Sequence, residues 1–245
     1  MPIAITRAFV LETAPFNEQD KLVYLLSANR GILKAIAPGA LKNKNRFGSL
    51  LELFTESDFQ YYWKEEKEMI TISRGDLVTT NFNVVSEPSN IFYFYLIAEI
   101  LMKFVPYTHR DNRIFRLVRA ILESRTGGAI MNLLLLYFLV WIIRIEGMMF
   151  DPGICTNCFE KNLRRAWMRA DFRGLLCEKC RTNENLMFEY EDLKFVRWTE
   201  KHSPREVDAW KDSIDVAKLV RTFKRKIEHH GELILKTTQY LSEFR

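Results

Sequence analysis

All four cysteines of the chain fall in one stretch, CTNCFEKNLRRAWMRADFRGLLCEKC, residues 155–180. Cys155-x-x-Cys158 and Cys177-x-x-Cys180 are eighteen residues apart, the two-knuckle spacing of a four-cysteine zinc site. Each C-x-x-C turn presents two thiolates on one side of a tight loop, and two such turns complete a tetrahedron around one ion. Cys155, Cys158, Cys177 and Cys180 are therefore the expected ligands of a single Zn2+. Four thiolates close the shell, whereas a catalytic zinc keeps one position open for water, so the metal is expected to be structural. A dithiol redox role is disfavoured because neither pair follows a strand in a β-α-β context. The opening MPIAITRAFVLETAPF lacks a basic segment, a long apolar run and a small-residue cleavage site. No secretory signal is read there, and a cytoplasmic location with reduced thiols is expected.

The 245 residues, 48% of them apolar, can bury one large or two modest cores. Residues 1–80 read as about five short strands. AITRAFVLET alternates, KLVYLLS follows a polar NEQD, ILKAIAPG resumes after Arg30-Gly31, and LLELFTESDFQYYW and MITISRGDLV are rich in β-branched and aromatic residues. That density predicts a small barrel, with the five-stranded OB-fold as the nucleic-acid-binding form.

After Glu87-Pro88 the pattern becomes helical. SNIFYFYLIAEILMKFV opens on Ser89 or Asn90 as a cap, and DNRIFRLVRAILESR sets Ile114, Leu117, Val118, Ile121 and Leu122 on one buried stripe. AIMNLLLLYFLVWII, residues 129–143, is too short for a bilayer crossing of roughly twenty residues; it reads as a core helix stopped near Gly147. YEDLKFVRWTEKH, DSIDVAKLVRTFKRKIEHH and ELILKTTQYLSEFR read as further helices. The expected class is α+β, in four segments: an OB-fold DNA-binding barrel at 1–80, a first helical part at 81–150, the zinc-binding insert at 151–183, and the rest of the helical bundle at 184–245.

No phosphate loop, dinucleotide fingerprint, nucleophile elbow or H-E-x-x-H motif occurs, and His229 and His230 before Gly231 suit a helix C-terminus rather than a metal. The chain is expected not to be an enzyme. Net charge is +5, which admits a polyanionic partner without demanding one. The excess is local: residues 151–183 hold seven basic against four acidic residues, and residues 30–46 hold Arg30, Lys34, Lys42, Lys44 and Arg46 with no acid. These five are the expected DNA-backbone contacts. Arg110, Arg113, Arg116 and Arg119 lie off the apolar stripe of their helix, and Arg165 and Arg169 lie between the knuckles. The six form a second candidate surface for a polyanion or an acidic partner.

The order of these parts resembles the RecO family of bacterial recombination mediators. The likeness is carried by Glu18-x-Asp20-Lys21-Leu22-Val23, Arg30-Gly31-Ile32-Leu33-Lys34, Ala37-x-Gly39-Ala40 and Arg46-Phe47-Gly48-x-Leu50-Leu51-x-Leu53-Phe54. It continues in Gly153-x-Cys155-x-x-Cys158 and Gly174-x-x-Cys177-x-x-Cys180. Asn45 and Glu52-Leu53 depart from the family's usual residues. The resemblance implies a DNA-binding mediator of repair that anneals complementary single strands without ATP, including strands coated by single-stranded-DNA-binding protein. Its implied partners are single- and double-stranded DNA, RecR, the single-stranded-DNA-binding protein and, indirectly, RecA, at the nucleoid and not at a membrane. The competing readings are a zinc-stabilised protein-interaction scaffold with incidental DNA affinity, a zinc-ribbon regulator and a nuclease. The last two are weakened by the missing helix-turn-helix and carboxylate constellation.

Overall fold

The computed structural model describes residues 3–42, 47–63, 68–106, 111–182 and 186–241. Five strands, β1 (Ile3–Pro15), β2 (Lys21–Ser27), β3 (Gly31–Ala37), β4 (Glu56–Tyr62) and β5 (Ile70–Thr79), close into a barrel in the order β1-β2-β3-β5-β4. The closure depends on the long β1. Its first half pairs antiparallel with β4, from Ile3↔Tyr62 to Phe9↔Glu56, and its second half with β2, from Ala8↔Ser27 to Pro15↔Lys21. Between Val10 and Glu12 the register shifts, so Leu11 is an extra residue and the strand bends from one partner to the other.

Alternation sets what fills the barrel. Ala8 and Val10, Val23 and Leu25, Ala35 and Ala37, Phe59 and Tyr61, and Ile70 and Ile72 point inward and are buried. Gly75 on β5 lies close under its neighbours, since a Cβ there would stand 3.0 Å from Leu50 and 3.2 Å from Phe59 and would push their side chains aside. The stretch LLELFTESDFQYYW is a strand only in its second half. Gly48–Leu51 forms a 3-10 turn and Phe54 has φ 54°, because residues 54 and 55 hook onto Val10 through Phe54 N–H to Val10 O at 2.7 Å and Val10 N–H to Thr55 O at 3.2 Å.

By compactness the chain divides into residues 1–119 and 120–245. The first unit holds, besides the barrel, the short α1 (Phe82–Val85), α2 (Ile91–Phe104) and the start of α3 (Asn112–Thr126). Asn90 occupies the N-cap position of α2, but its amide donates to Val84 O at 2.9 Å and to Glu87 at 2.7 Å instead of its carbonyl capping the helix. Phe9, on the outer side of β1, meets the Phe115 ring at 4.7 Å. Beside it Glu56, 5% exposed, accepts from Arg119 at 2.5 Å and lies 3.7 Å from Arg7, which also forks onto Asp58. The α3 stripe of Ile114, Leu117, Val118, Ile121 and Leu122 is buried as its spacing predicts.

In the second unit α4 (Met131–Ile145) is buried on almost every face and packs on α6 (Val216–Gly231). Its few polar groups anchor it to the turn after α5 (Tyr190–Trp198): Tyr137 Oη donates to His202 O at 2.8 Å, and Trp141 Nε1 to Thr199 O at 3.0 Å. Gly147 follows with φ 73°, the left-handed stop that its position predicts. The zinc-type insert contributes β6 (Ala166–Met168) and β7 (Leu175–Leu176), and β8 (Met187–Phe188) completes their sheet from beyond it, in the order β7-β6-β8. ELILKTTQYLSEFR departs from the helical expectation: Glu232 turns left-handed at φ 49°, and of the described residues only Thr237–Tyr240 are helical, as a 3-10 turn. No helix among the described residues is long and apolar enough to cross a membrane.

Two substitutions separate the packing and ionic contributions beside β1. Phe9→Ala should cost about 3–5 kcal/mol in urea unfolding, as a buried aromatic truncation. Arg119→Met, which leaves the buried Glu56 carboxylate with only the more distant Arg7, should cost about 1–3 kcal/mol.

Candidate metal centre and nucleic-acid interface

The first knuckle is shaped by its own backbone. Cys155 N–H donates to Glu160 O and Phe159 N–H to Cys155 O, both at 2.9 Å, while Ile154 bridges Lys161. In the second, Cys180 and Arg181 N–H both donate to Cys177 O at 3.1 Å. The knuckles are joined by Thr156 N–H to Leu175 O at 2.8 Å and by a Cys155–Leu175 bridge. That closeness requires Gly174, because a Cβ there would fall 2.2 Å from Thr156 Cγ2.

The four Sγ atoms consequently lie within 4.8 Å of one another, and Cys158 and Cys177 approach to 3.5 Å with no disulfide. A tetrahedral tetrathiolate with bonds of about 2.3 Å spaces its sulfurs by about 3.8 Å. The set therefore fits one zinc-sized ion. Burial opposes ionisation of Cys155, but N–H groups of Cys158, Cys177 and Asn157 aimed at its sulfur prevail and lower its pKa to about 6. Burial pushes the Cys177 thiol up. Asn157 Nδ2 donates to Cys180 Sγ at 3.3 Å, the kind of outer contact that orients a thiolate ligand.

Beyond the ligands the insert is held to α6. Trp167 and Phe172 are buried, and Phe172 takes a left-handed φ of 55°. Its carbonyl accepts from the buried Nζ of Lys226, and its ring contacts that of His229 at 5.3 Å. Burial lowers the Lys226 pKa from its ordinary 10.5 to about 8. Lys226 Nζ lies 3.3 Å from His230 Nε2, and burial followed by the nearby Lys226 charge lowers the His230 pKa as well. The sequence by itself places His229 and His230 only at a helix end. The helix period, which carries Lys226 to the inner face of α6, is the signal that could have found this anchor.

The expected DNA contacts are spread along one hairpin. Arg30 is exposed in the β2–β3 turn, its guanidinium 5.8 Å from the centre of the half-buried Trp63 ring. Lys34 lies mid-strand on β3, opposite Tyr24 and on the face away from the barrel interior. Lys42 is exposed at the far end, where Leu41 N–H donates to Gln19 O at 2.9 Å. Seven strand residues at about 3.3 Å each separate the two ends by roughly 20 Å, so these three form a strip, not a cluster. Lys44, Arg46 and Arg110 lie outside the described residues. Nothing in the strip's composition points to Trp63, which the barrel's closure brings under Arg30.

In the second set of cations, four have acidic partners in their own unit. Arg119 is engaged with buried Glu56, Arg113 with Asp111 at 2.5 Å, Arg165 with Glu189 at 3.3 Å and Arg169 with Asp171 at 3.0 Å, while Arg116 is exposed.

Two outcomes follow for the metal centre. Cys177→Ser should abolish binding of one metal per chain and remove hydrogen-exchange protection from residues 153–182, leaving the protection of the barrel strands intact. Lys226 sets a pH signature. The folded state releases its proton near pH 8 and the unfolded state only near 10.5, so between these values the unfolded chain binds more protons and stability rises with pH. Below pH 8 that slope vanishes. The unfolding free energy of the wild type minus that of Lys226→Met should accordingly increase from pH 8 towards 10, with a separate smaller rise at lower pH, because the Lys226 charge that the variant lacks helps to lower the His230 pKa.

A sequence profile described as the N-terminal domain of recombination protein O matches residues 1–81. The chain is 29% identical over 172 residues to the DNA repair protein RecO of Koribacter versatilis, covering 70% of each. It is 23% identical over 194 residues to the DNA repair protein RecO of Mesoplasma florum, covering 78% of this chain and 72% of that one. With its counterpart from Clostridium novyi the identity is 21% over 199 residues, covering 81% and 77%. The alignments with these relatives start in the barrel and extend well into the α-helical part, and by them the chain is similar to RecO proteins.

Proposed function

We propose that this protein belongs to the RecO family and is a DNA-binding mediator of repair and recombination that anneals complementary single strands without ATP. Its substrates include strands coated by single-stranded-DNA-binding protein, and it acts with RecR to assist the loading of RecA in the cytoplasm, at the nucleoid. The relatives are named as DNA repair proteins. The observation that carries the reading is the strip Arg30, Lys34, Lys42 along the β2–β3 hairpin of a closed five-stranded barrel. We read that barrel as an OB-fold, whose strand 2–3 face and β1–β2 loop take oligonucleotides. Lys42 stands next to that loop through the Leu41–Gln19 hydrogen bond, and Trp63 beside Arg30 supplies a ring on which a base can stack. Lys44 and Arg46 continue the strip in sequence.

Annealing of this kind needs no catalytic residue. Cations that neutralise phosphates lower the repulsion between two strands, and loose holding of each leaves them free to search for register. The reading therefore assigns no enzymatic step, and gives the tetrathiolate a single structural Zn2+ that fixes the fold of the insert. The ion pairs of Arg113, Arg119, Arg165 and Arg169 make the barrel strip the better candidate for the backbone contacts.

The decisive experiment follows pairing of two complementary oligonucleotides by energy transfer, each strand bare or coated with single-stranded-DNA-binding protein, with no nucleotide present. Acceleration that fades as salt rises is the expected result. Replacing Arg30, Lys34 or Lys42 by Glu should weaken binding for all sequences alike and reduce the salt slope by about one for each phosphate no longer neutralised. No acceleration on either substrate by the folded, metal-loaded protein would overturn annealing in favour of a protein-interaction scaffold.

A further inference from the structure

Among the described residues five non-glycines have φ in the left-handed region: Phe54, Phe159, Asn162, Phe172 and Glu232. Side chains with a Cβ disfavour that region, and four of the five show what offsets it. Phe54 is fully buried against Phe94, with ring centres 5.5 Å apart, and Phe172 is buried beneath α6. Asn162 is of a type that tolerates the conformation, and Glu232 is the left-handed cap of α6. Phe159 has no such offset. Its side chain is 72% exposed, and among the described residues it meets no other aromatic ring or cation.

The left-handed turn at this position belongs to the knuckle, since Phe159 N–H must reach back to Cys155 O. Glycine would satisfy that geometry without a Cβ and without putting an aromatic ring in water. The chain instead holds a large flat ring at the surface, adjacent to a metal ligand that fixes its backbone.

The surroundings select the partner. Thr156, Asn157, Glu160, Lys161 and Asn162 are all exposed and polar, so the knuckle that carries the ring adds no apolar residue to it towards the contiguous apolar patch that a protein-docking surface requires. The four sulfurs within 4.8 Å bring the two knuckles side by side, and each carries an exposed lysine, Lys161 and Lys179, beside an exposed glutamate, Glu160 and Glu178; the cationic excess is that of the insert as a whole, seven basic against four acidic residues over 151–183. A single exposed ring on a segment with a cationic excess is the arrangement that takes one nucleobase by stacking and its neighbouring phosphates by charge. We infer that Phe159 is a stacking platform for an unpaired base of single-stranded DNA, with Lys161 and Lys179 on the flanking phosphates. The insert then acts as a second contact, separate from the barrel strip. This inference rests on the DNA-binding reading above.

The test compares wild type with Phe159→Gly and Phe159→Asn, both compatible with the left-handed turn, and with Phe159→Trp. Metal content, thermal midpoint, sedimentation and binding of a labelled oligothymidine at several salt concentrations are measured. Phe159→Gly and Phe159→Asn should keep one metal per chain, melt no lower than wild type and bind the oligonucleotide roughly 5- to 100-fold more weakly, the range of one missing base–aromatic stack. Their salt slope should match wild type, since no charge is removed. Phe159→Trp should retain affinity and show added fluorescence quenched by the oligonucleotide. Wild-type affinity in both Phe159→Gly and Phe159→Asn overturns the inference while leaving the DNA-binding reading intact; failure of the wild type itself to bind overturns both. Loss of the metal from both variants makes Phe159 part of the knuckle's fold and overturns it too, as does altered sedimentation with unchanged DNA affinity, which would assign the ring to contact between two copies of the chain.

Discussion

The barrel exists because one strand serves two partners. β1 is thirteen residues long and pairs with β4 through its first half and with β2 through its second. A straight strand cannot do both, and the extra residue Leu11 supplies the bend. Closure then removes the exposed edges that an open sheet would leave to pair with other chains. It also fixes which residues face outward, and so aligns Arg30, Lys34 and Lys42 along one hairpin while bringing Trp63 to the turn that carries Arg30. The long outer span of β1 gives Phe9 its ring partner and sets Arg7 against Asp58 and Glu56.

The second unit solves a different problem. Residues 151–182 are loop-rich and short of apolar volume, and a segment of that size seldom holds a fold unaided. Four cysteine sulfurs converging within 4.8 Å are placed to hold one metal ion, which would provide the constraint that a hydrophobic core otherwise supplies. The constraint propagates through Phe172, whose left-handed backbone aims its carbonyl at the buried Lys226. A buried ammonium is costly unless hydrogen-bonded, and the fall in the Lys226 pKa reflects that cost. The four-cysteine cluster and α6 are in this way parts of one packed structure.

Counting charges along the chain overstates the basic surface available to a polyanion. Arg113, Arg119, Arg165 and Arg169 all have acidic partners in their own unit, and Arg119 serves to neutralise a buried carboxylate. An arginine engaged with a buried acid is part of the fold, because removing it strands the acid away from water. The barrel strip differs in that Arg30 rests against an aromatic ring and has no acidic partner among the described residues.

Sequence alone determined what local periodicity and spacing encode. The cysteine pairs defined the ligand set, alternation in β1 to β5 announced a small barrel, the 3.6-residue repeat picked out the buried stripe of α3, and an apolar surface all round marked α4 as a core helix. Where periodicity is weak the reading failed: LLELF and the stretch after Gly231 follow hydrogen bonds to Val10 and the left-handed cap at Glu232, which no local pattern announces. Tertiary structure alone decided which cations are engaged, which ring lies under Arg30, and that Phe159 is exposed while Phe172, of the same residue type and also left-handed, is buried. The physical reason is that pairing and burial are relations between residues far apart in the chain. Glu56 and Arg119 are 63 positions apart, and Phe172 and Lys226 are 54; only the folding of each unit brings them together.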